Sequence, residues 1–375
     1  MPPFVVWIVK NILPGVAWLI SIIIPGRKSA VVLREAHNKA EIMSLVNHVE
    51  SVFPPAGTYV PLPKLVDQCY AMGDFPALWA VEGLGNYYAE TFRERKLAAT
   101  NVLTDPQLVG SLPSKSLTML HAGIGLSFGK RSLEGLKDTS PPADIRAAIE
   151  KFINLCRTNS QPGYAGCAFE SLGLVTLILH NPAMALVVDR HLAEMDPAVA
   201  TFMWRGAGRA LFFHPKNFIP AWSSPWRGIA MCSEIAPSES ARKNMRAGFS
   251  WALTVVNMRH PIIMEQLLLT QGRDFADRDA FINGVMSSMT MRYDTSPEDP
   301  YITRFIEHQP QHSNPLLSEL WESEIRKPCQ QVIREIHPAL KQHQRLDEVF
   351  HFQSLPDLVA KLKGGSAASS HHMYV

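Results

Sequence analysis

Apolar residues recur at helical spacing along most of this chain, in stretches separated by short polar or proline-containing segments. Six of these stretches are interrupted by small residues, at intervals between 35 and 48 residues. The interruptions are centred on Gly83, Gly123, Ser171, Gly206, Gly248 and Gly284. A recurring unit of this length is typical of stacked helical arrays, in which each unit buries its apolar face against its neighbours.

A second amphipathic segment lies between several of these stretches. In the segment that begins at Ala143, for example, Ile145, Ile149 and Phe152 recur on one helix face. One buried helix and one covering helix per unit is the pattern of an α-solenoid or an α/α ring. The sequence therefore predicts an all-α fold: a single helical-repeat domain of about six helix pairs that spans residues 29–315.

The regions outside the repeat carry weaker patterns. Within the first part of that domain, residues 29–53 read as one amphipathic helix, which Pro54 and Pro55 end. Residues 316–362 contain further helix signals. The last segment, residues 363–375, is rich in Gly, Ser, Ala and His, and this composition predicts a disordered tail.

Residues 1–28 form an apolar N-terminal segment in which only Lys10 interrupts the run from residue 4 to residue 24 with a charge. This run barely reaches the length of about 20 residues that spans a bilayer. It has three interpretations: a spanning or re-entrant helix, an interfacial helix with Trp7 and Trp18 at the headgroups, or core helices broken at Pro14. Basic residues follow it, so a spanning helix would place the main body on the cytoplasmic side. We expect a cytoplasmic protein, with membrane contact through residues 4–24 in the first two cases.

Charge and cysteine content narrow the function classes. The chain has 36 Lys and Arg against 34 Asp and Glu, a net charge of +2, so electrostatics gives no reason to expect a nucleic-acid partner. Its five cysteines include no Cys-x-x-Cys pair. They are therefore expected to be reduced, buried thiols in a cytoplasmic setting.

A polar residue stands one or two positions before the small residue in each of the six stretches. These residues are Glu82, His121, Glu170, Arg205, Arg246 and Asn283. Because equivalent positions on a curved array point to equivalent places, we expect them to meet on one concave surface. Buried charges require partners, so the sequence predicts an ion-pair network of the two glutamates with the two arginines.

This network has two interpretations. In the first, it is the polar end of an apolar cavity, where Glu170 or His121 transfers protons and the arginines hold an anionic or carbonyl oxygen. The candidate catalytic residues are then Glu82, His121, Glu170 and Arg205, and the candidate pocket residues are Arg246, Asn283, Gly83, Gly123 and Gly206. In the second interpretation, the network only closes the array, because structural ion pairs produce the same pattern.

Cofactor and metal motifs are missing from the sequence. The Gly-x-Gly at Gly83 lacks the preceding strand and the third glycine of a dinucleotide fingerprint. His308 and His312 have the spacing of a helical metal pair, but Pro310 lies between them. We therefore predict neither a cofactor nor a metal.

Several blocks of the chain, read in order, resemble an uncharacterised bacterial domain family whose members are encoded near enediyne polyketide biosynthesis genes. The blocks are EGLGNYYAETF, MLHAGIGLSFGK, GYAGCAFESLG, FMWRGAGRALFF, RAGFSWAL and FINGVMSSMTMRYDTSPEDPYITRFI. The resemblance covers roughly residues 65–310 and is most specific at residues 208–211. At Phe169, Glu170 and Ser171 the chain departs from the aromatic-His-Glu pattern of that family. The resemblance implies a fold and a genomic setting, but no reaction.

Two hypotheses for function follow. The leading one is an enzyme or accessory protein of bacterial secondary metabolism that holds a hydrophobic, polyketide-like molecule in an apolar cavity with a polar end. The alternative is a membrane-associated scaffold without catalytic activity, whose polar network is architectural.

Overall fold

The regular structure of this chain is helical, as the sequence predicts. The computed structural model describes residues 27–48, 52–54, 58, 60–94, 100–214, 225–272, 276–310 and 314–370, and no strand occurs within them. The first eight helices are α1 (Arg27–His48), α2 (Leu62–Ala71), α3 (Asp74–Glu94), α4 (Leu117–Leu133), α5 (Pro142–Asn159), α6 (Ala165–Leu179), α7 (Pro182–Met195) and α8 (Pro197–Phe212). They are followed by α9 (Pro225–Ile235), α10 (Glu239–Asn257), α11 (Ile262–Gln271), α12 (Arg278–Thr295), α13 (Pro300–Glu307), α14 (Pro315–Trp321), α15 (Lys327–Gln331), α16 (His337–Gln342) and α17 (Leu355–Ser370).

Local capping explains where several of these helices begin. The side chain of Asn181 accepts a hydrogen bond from the backbone N–H of Met184, and Pro182 occupies the first position of α7. Asp196 and Pro197 start α8 in the same way. A capping oxygen satisfies one free N–H of the first turn, and a proline at the first position sacrifices no helical hydrogen bond.

The six helices that carry the small residues contact one another in series: α3, α4, α6, α8, α10 and α12. Their glycines lie where two backbones touch. A β-carbon added at Gly206 would overlap the carbonyl oxygen of Glu170, and one added at Gly248 would overlap that of Arg205. The recurring small residues therefore mark backbone-to-backbone contacts between successive helices. The regular repeat of helix pairs remains a prediction.

Three other helices cover the gaps between these six. Helix α5 contacts α4 and α6, α7 contacts α6 and α8, and α9 contacts α8 and α10. In α5, the predicted face of Ile145, Ile149 and Phe152 is buried. These contacts agree with the covering role that the sequence predicts for the amphipathic segments.

The N-terminal part of the described chain packs against the same array. Helix α1 contacts α3, α10 and α11 through a buried face that includes Val31 and Ala36. The helix predicted for residues 29–53 thus runs from Arg27 to His48, and residues 52 and 53 form a turn. The apolar run at residues 4–24 lies outside the described residues. Among the helices that are described, none is both long and apolar enough to cross a membrane.

The C-terminal region differs from expectation in two ways. Two π-helical turns, Glu322–Arg326 and Val332–Ile336, join α14 to α15 and α15 to α16. Each ends two residues before a proline, Pro328 or Pro338, which has no N–H to donate to a regular helix. Helix α17 continues to Ser370, so the segment predicted to be disordered is helical over residues 363–370. Its first turns are anchored in the core by Leu355 and Val359.

Every cysteine of the chain lies within the described residues, and each is a free thiol buried in the protein. They are distributed over five helices: Cys69 on α2, Cys156 on α5, Cys167 on α6, Cys232 on α9 and Cys329 on α15. No cysteine is paired with another.

Candidate functional site

Two of the predicted site residues form an ion pair in the centre of the array. Glu170 lies on α6 and Arg205 on α8, each directly before the small residue of its helix. Because the two backbones touch at Gly206, the side chains meet. Arg205 Nη1 donates to Glu170 Oε1 over 2.5 Å, and both side chains have 0% exposure.

A second arginine extends this pair to α3. Arg209 lies one helical turn after Arg205, and its Nη2 donates to both carboxylate oxygens of Glu82 over 2.5 and 2.6 Å. Its Nη1 donates to Glu170 Oε2 over 3.3 Å. We call Glu82, Glu170, Arg205 and Arg209 the quartet. Its two carboxylates and two guanidinium groups neutralise each other, and it connects α3, α6 and α8.

The two arginines of the quartet respond differently to burial. Burial lowers the pKa of Arg205 from its ordinary value, and the adjacent Glu170 opposes this shift. Burial acts on Arg209 in the same direction, but the carboxylates of Glu82 and Glu170 outweigh it and raise its pKa. A guanidinium group starts far above neutral pH, so both arginines remain cations.

Aromatic rings and a hydroxyl complete the surroundings of the two arginines. The Trp251 ring centre lies 4.8 Å from Cζ of Arg209 and 5.6 Å from Cζ of Arg205. The Phe350 ring lies 5.1 Å from Cζ of Arg205. Arg205 Nη2 also donates to Ser287 Oγ on α12 over 3.0 Å. Cation–π contacts of this kind stabilise guanidinium groups that are shielded from water.

The quartet has more hydrogen-bond donors than acceptors. The Nε atoms of Arg205 and Arg209 and the Nε1 atom of Trp251 are buried, and each lacks a hydrogen-bond partner among the described residues. A buried donor without a partner costs about 1–3 kcal/mol. These three N–H groups are therefore the donors of the site to which an acceptor oxygen could bind.

His121 does not fit the predicted role in proton transfer. Its Nδ1 lies 2.7 Å from the carbonyl oxygen of Leu117, and the backbone N–H of Gln161 donates to its Nε2 over 3.0 Å. Its ring stacks on Tyr164. Burial lowers the pKa of His121 to about 4, although the bond to Leu117 acts in the opposite direction. The ring is neutral at pH 7 and both nitrogens are occupied, so His121 fastens the start of α6 to α4.

Arg246 and Asn283 also make their contacts elsewhere. Arg246 pairs with Asp277 over 2.8 Å and donates to the Ser233 hydroxyl, beside a surface cleft of about 420 Å³. Asn283 Nδ2 donates to the carbonyl oxygen of Gln353 over 2.6 Å. In the quartet, Arg209 holds the place that the sequence predicts for Arg246. A signal for Arg209 exists, because it lies four residues after Arg205 and so on the same helix face.

The glycines predicted to line the pocket have packing roles instead. A β-carbon at Gly123 would overlap the carbonyl oxygen of Glu82, just as one at Gly206 would overlap that of Glu170. Gly83 is half-buried, and it is Gly85 that touches the neighbouring backbone, at Leu120. The space beside Gly123 and Gly206 is therefore filled by neighbouring helices.

Comparison with known proteins gives no identification. Neither a protein-family model nor a curated protein nor a solved structure matches the chain. The resemblance to the enediyne-associated family therefore stays a prediction, and the function is argued from the geometry alone.

Proposed function

We propose that this protein binds an apolar small molecule that carries a carbonyl or similar acceptor oxygen, and that the quartet is the polar end of the site. The observation that supports the proposal is the set of three buried donors without partners, at Arg205, Arg209 and Trp251. An acceptor oxygen of a ligand would supply a partner for such a donor. The polyketide-like ligand and the bacterial secondary metabolism expected from the sequence are part of this proposal.

The charge balance of the quartet favours an uncharged ligand. Two carboxylates already neutralise the two guanidinium groups, so an added anion would leave an uncompensated buried charge. A ketone oxygen accepts hydrogen bonds without that cost. The rings of Trp251 and Phe350, which pack on the arginines, provide apolar surroundings that suit the rest of such a molecule.

The geometry supports binding more directly than catalysis. Donors that face a carbonyl oxygen polarise it and stabilise negative charge that develops on it. A general base is needed as well for most reactions of a ketone, and both oxygens of Glu170 and of Glu82 already accept arginine N–H groups. The role that follows is an accessory factor, or an enzyme whose base comes from the ligand or from another part of the chain.

An architectural role is the second candidate, and a specific observation favours it. The four charges of the quartet neutralise one another completely and connect three helices that are distant in sequence. A scaffold that only closes the array would show the same network. The unpartnered donors would then be satisfied by buried water.

Trp251→Phe distinguishes the two roles. The substitution keeps a ring over the arginines and removes the Nε1 donor, which has no protein partner to lose. We expect anthraquinone, an uncharged aromatic diketone with a near-ultraviolet absorption band, to bind the wild-type protein. The variant should bind it about fivefold to tenfold more weakly, the value of one hydrogen bond. Spectrophotometric titration measures both dissociation constants.

Trp321→Phe is the matched control. Trp321 is also buried with an unpartnered Nε1, but it packs against Phe305 and His308 on a different part of the array. Its loss should leave anthraquinone affinity unchanged while costing similar stability. No binding by the wild-type protein, or equal affinities of the two variants, would contradict the proposal and favour the architectural role.

A further inference from the structure

A short segment after α16 crosses the array above the quartet. We call residues 344–353, which include the 3₁₀ turn Leu346–Phe350, the strap. At one end, the backbone N–H of Asp347 donates to the Gly163 carbonyl over 3.0 Å, and the Gly166 N–H donates to Asp347 Oδ2 over 3.1 Å. These bonds attach the strap to the start of α6.

The other end of the strap is attached to two more helices. The backbone N–H of Phe352 donates to Asn244 Oδ1 on α10 over 2.7 Å. Asn283 Nδ2 on α12 donates to the carbonyl oxygen of Gln353 over 2.6 Å. The strap thus extends from α6 to α10 and α12, with one or two hydrogen bonds at each attachment.

Between these attachments the strap contacts the quartet at Arg205. Phe350 is fully buried, and its ring is the strap's contact with Arg205. Arg205 and Glu170 have no exposed surface. Any ligand that reaches them must therefore displace part of the protein first.

Displacing the strap costs less than separating the helices. The helices around the quartet touch backbone to backbone at Gly173, Gly206 and Gly248, so their separation would disrupt packing along their length. The strap is attached to the α6, α10 and α12 regions by four hydrogen bonds, each worth about 1 kcal/mol, and by a few apolar side chains. Its backbone also touches the neighbouring backbone, but at one end, beside Gly163 and Gly166. It begins at Gln344, whose φ of 54° lies in the left-handed region that non-glycine residues occupy at a cost.

Internal bonds keep the strap together as one unit. The carboxylate of Glu348 accepts hydrogen bonds from Arg345, from His351 over 2.9 Å and from the side chain of Gln353 over 2.7 Å. These residues span nearly the whole segment. A strap bonded to itself in this way moves as a body when its attachments break.

We infer that the strap is a gate over the quartet: it lifts as a unit, removes Phe350 from Arg205 and opens the route to the buried donors. The inference concerns the regulation of the proposed binding site and rests on the proposed function for the nature of the ligand. The opening itself is measurable without any ligand.

Hydrogen exchange of the full-length protein tests the opening. Asn244→Ala removes the acceptor for Phe352 at one end of the strap. If the strap lifts as a unit, the amides of Gly166 and Asp347 at the opposite end should exchange about fivefold to tenfold faster, the effect of one lost hydrogen bond. Amides in the middle of α6 and α8 should keep their wild-type rates.

Asn159→Ala is the matched control for this variant. Asn159 Oδ1 likewise accepts a backbone N–H, that of Val102 over 2.8 Å, and both asparagines donate from Nδ2 to the carbonyl four residues earlier. The Oδ1 partner of Asn159 is Val102 rather than a strap residue, so the exchange rates of Gly166 and Asp347 should remain unchanged. Faster exchange of Phe352 alone in Asn244→Ala, or faster exchange only together with α6 and α8, would overturn the gate.

Stopped-flow binding of anthraquinone separates the gate from the binding site. Asn244→Ala should increase the association rate about fivefold to tenfold, in step with exchange, and Asn159→Ala should not change it. Binding at equal rates in both variants would refute the gate and leave the site in place. Absence of binding in every variant would refute the proposed function, while the exchange result would still decide whether the strap opens.

Discussion

Two arginine–carboxylate clusters of this protein share their chemistry but differ in their access to water. The quartet lies in the centre of the array. The other cluster, which we call the rim cluster, consists of Arg242, Arg246 and Asp277 at the start of α10 and α12. There Asp277 accepts from Arg242 over 2.8 Å and pairs with Arg246 over 2.8 Å, while Arg242 remains 35% exposed.

The comparison shows that surroundings, rather than contact distance, set the energetic importance of an ion pair. Arg205 and Glu170 lie as close together as any pair at the rim, yet bulk water reaches the rim and does not reach the Arg205–Glu170 pair. Water and salt replace a lost partner at the rim. In the quartet, a lost partner leaves a charge without solvent, which is why the quartet has equal numbers of the two signs.

Glu170→Gln should have the largest effect on stability. It leaves two buried guanidinium groups with one carboxylate, at a cost of about 3–5 kcal/mol in the free energy of unfolding. Urea denaturation measures this loss. A cost below about 1 kcal/mol, as at an exposed pair, would show that water enters the quartet. Because the variant is expected to be this unstable, loss of ligand binding in it would not identify a binding site.

Gly206→Ala should be the next largest in effect. The new β-carbon would overlap the Glu170 carbonyl oxygen and force α6 and α8 apart. This should lower the free energy of unfolding by about 3 kcal/mol. Gly364→Ala is the control, because nothing lies within 4 Å of the added carbon and the residue is exposed on α17. At this position the better helix propensity of alanine should raise the free energy of unfolding by about 0.5–1 kcal/mol. Similar melting temperatures for both variants would contradict the backbone contact.

Asp277→Asn should have the smallest effect. It should lower the free energy of unfolding by about 0.5–1 kcal/mol at pH 7, and by less at high salt. Asparagine tolerates the left-handed backbone at this position, where φ is 51°. Partial burial tends to raise the pKa of Asp277, but the bond from Arg242 and the charge of Arg246 outweigh it, so the pKa is lowered.

The lowered pKa of Asp277 determines how the stability difference between the wild type and Asp277→Asn depends on pH. A carboxylate with a lowered pKa in the folded state stabilises the protein above its unfolded pKa, and this contribution is lost as pH falls through the folded pKa. The difference between wild type and Asp277→Asn should therefore vanish in acid. Denaturation curves at pH 7 and in acid measure it, and a difference that grows in acid would contradict the assigned ion pairs.

The sequence predicted the helices and part of the site for identifiable reasons. Periodic apolar residues and small-residue interruptions depend on local spacing, so the helical class could be inferred. Glu82, Glu170 and Arg205 could be grouped because each directly precedes a small residue that interrupts an apolar stretch. The same rule failed for Arg246. Side chains at equivalent positions of different helices meet only if the helices are rotated about their axes in the same way and are aligned at the same height.

The strap could not have been inferred from sequence patterns. Its attachments join residues far apart in the chain, such as Gly166 and Asp347, which are 181 residues apart. The unpartnered donors at the quartet could not be predicted from the sequence either, because they depend on which N–H groups the carboxylates leave without a hydrogen bond. Arg209 could have been found by its helical spacing from Arg205, but its partner Glu82 lies 127 residues away.

The burial of all five cysteines gives the protein a set of internal reporters. Burial raises the pKa of Cys69 and of Cys232 to about 12 and raises those of the other three as well, so the reactive thiolate is scarce in the folded protein. Alkylation at neutral pH then proceeds only through transient exposure. Since each thiol sits on a different helix, the order in which iodoacetamide modifies them would record the order in which those helices come loose.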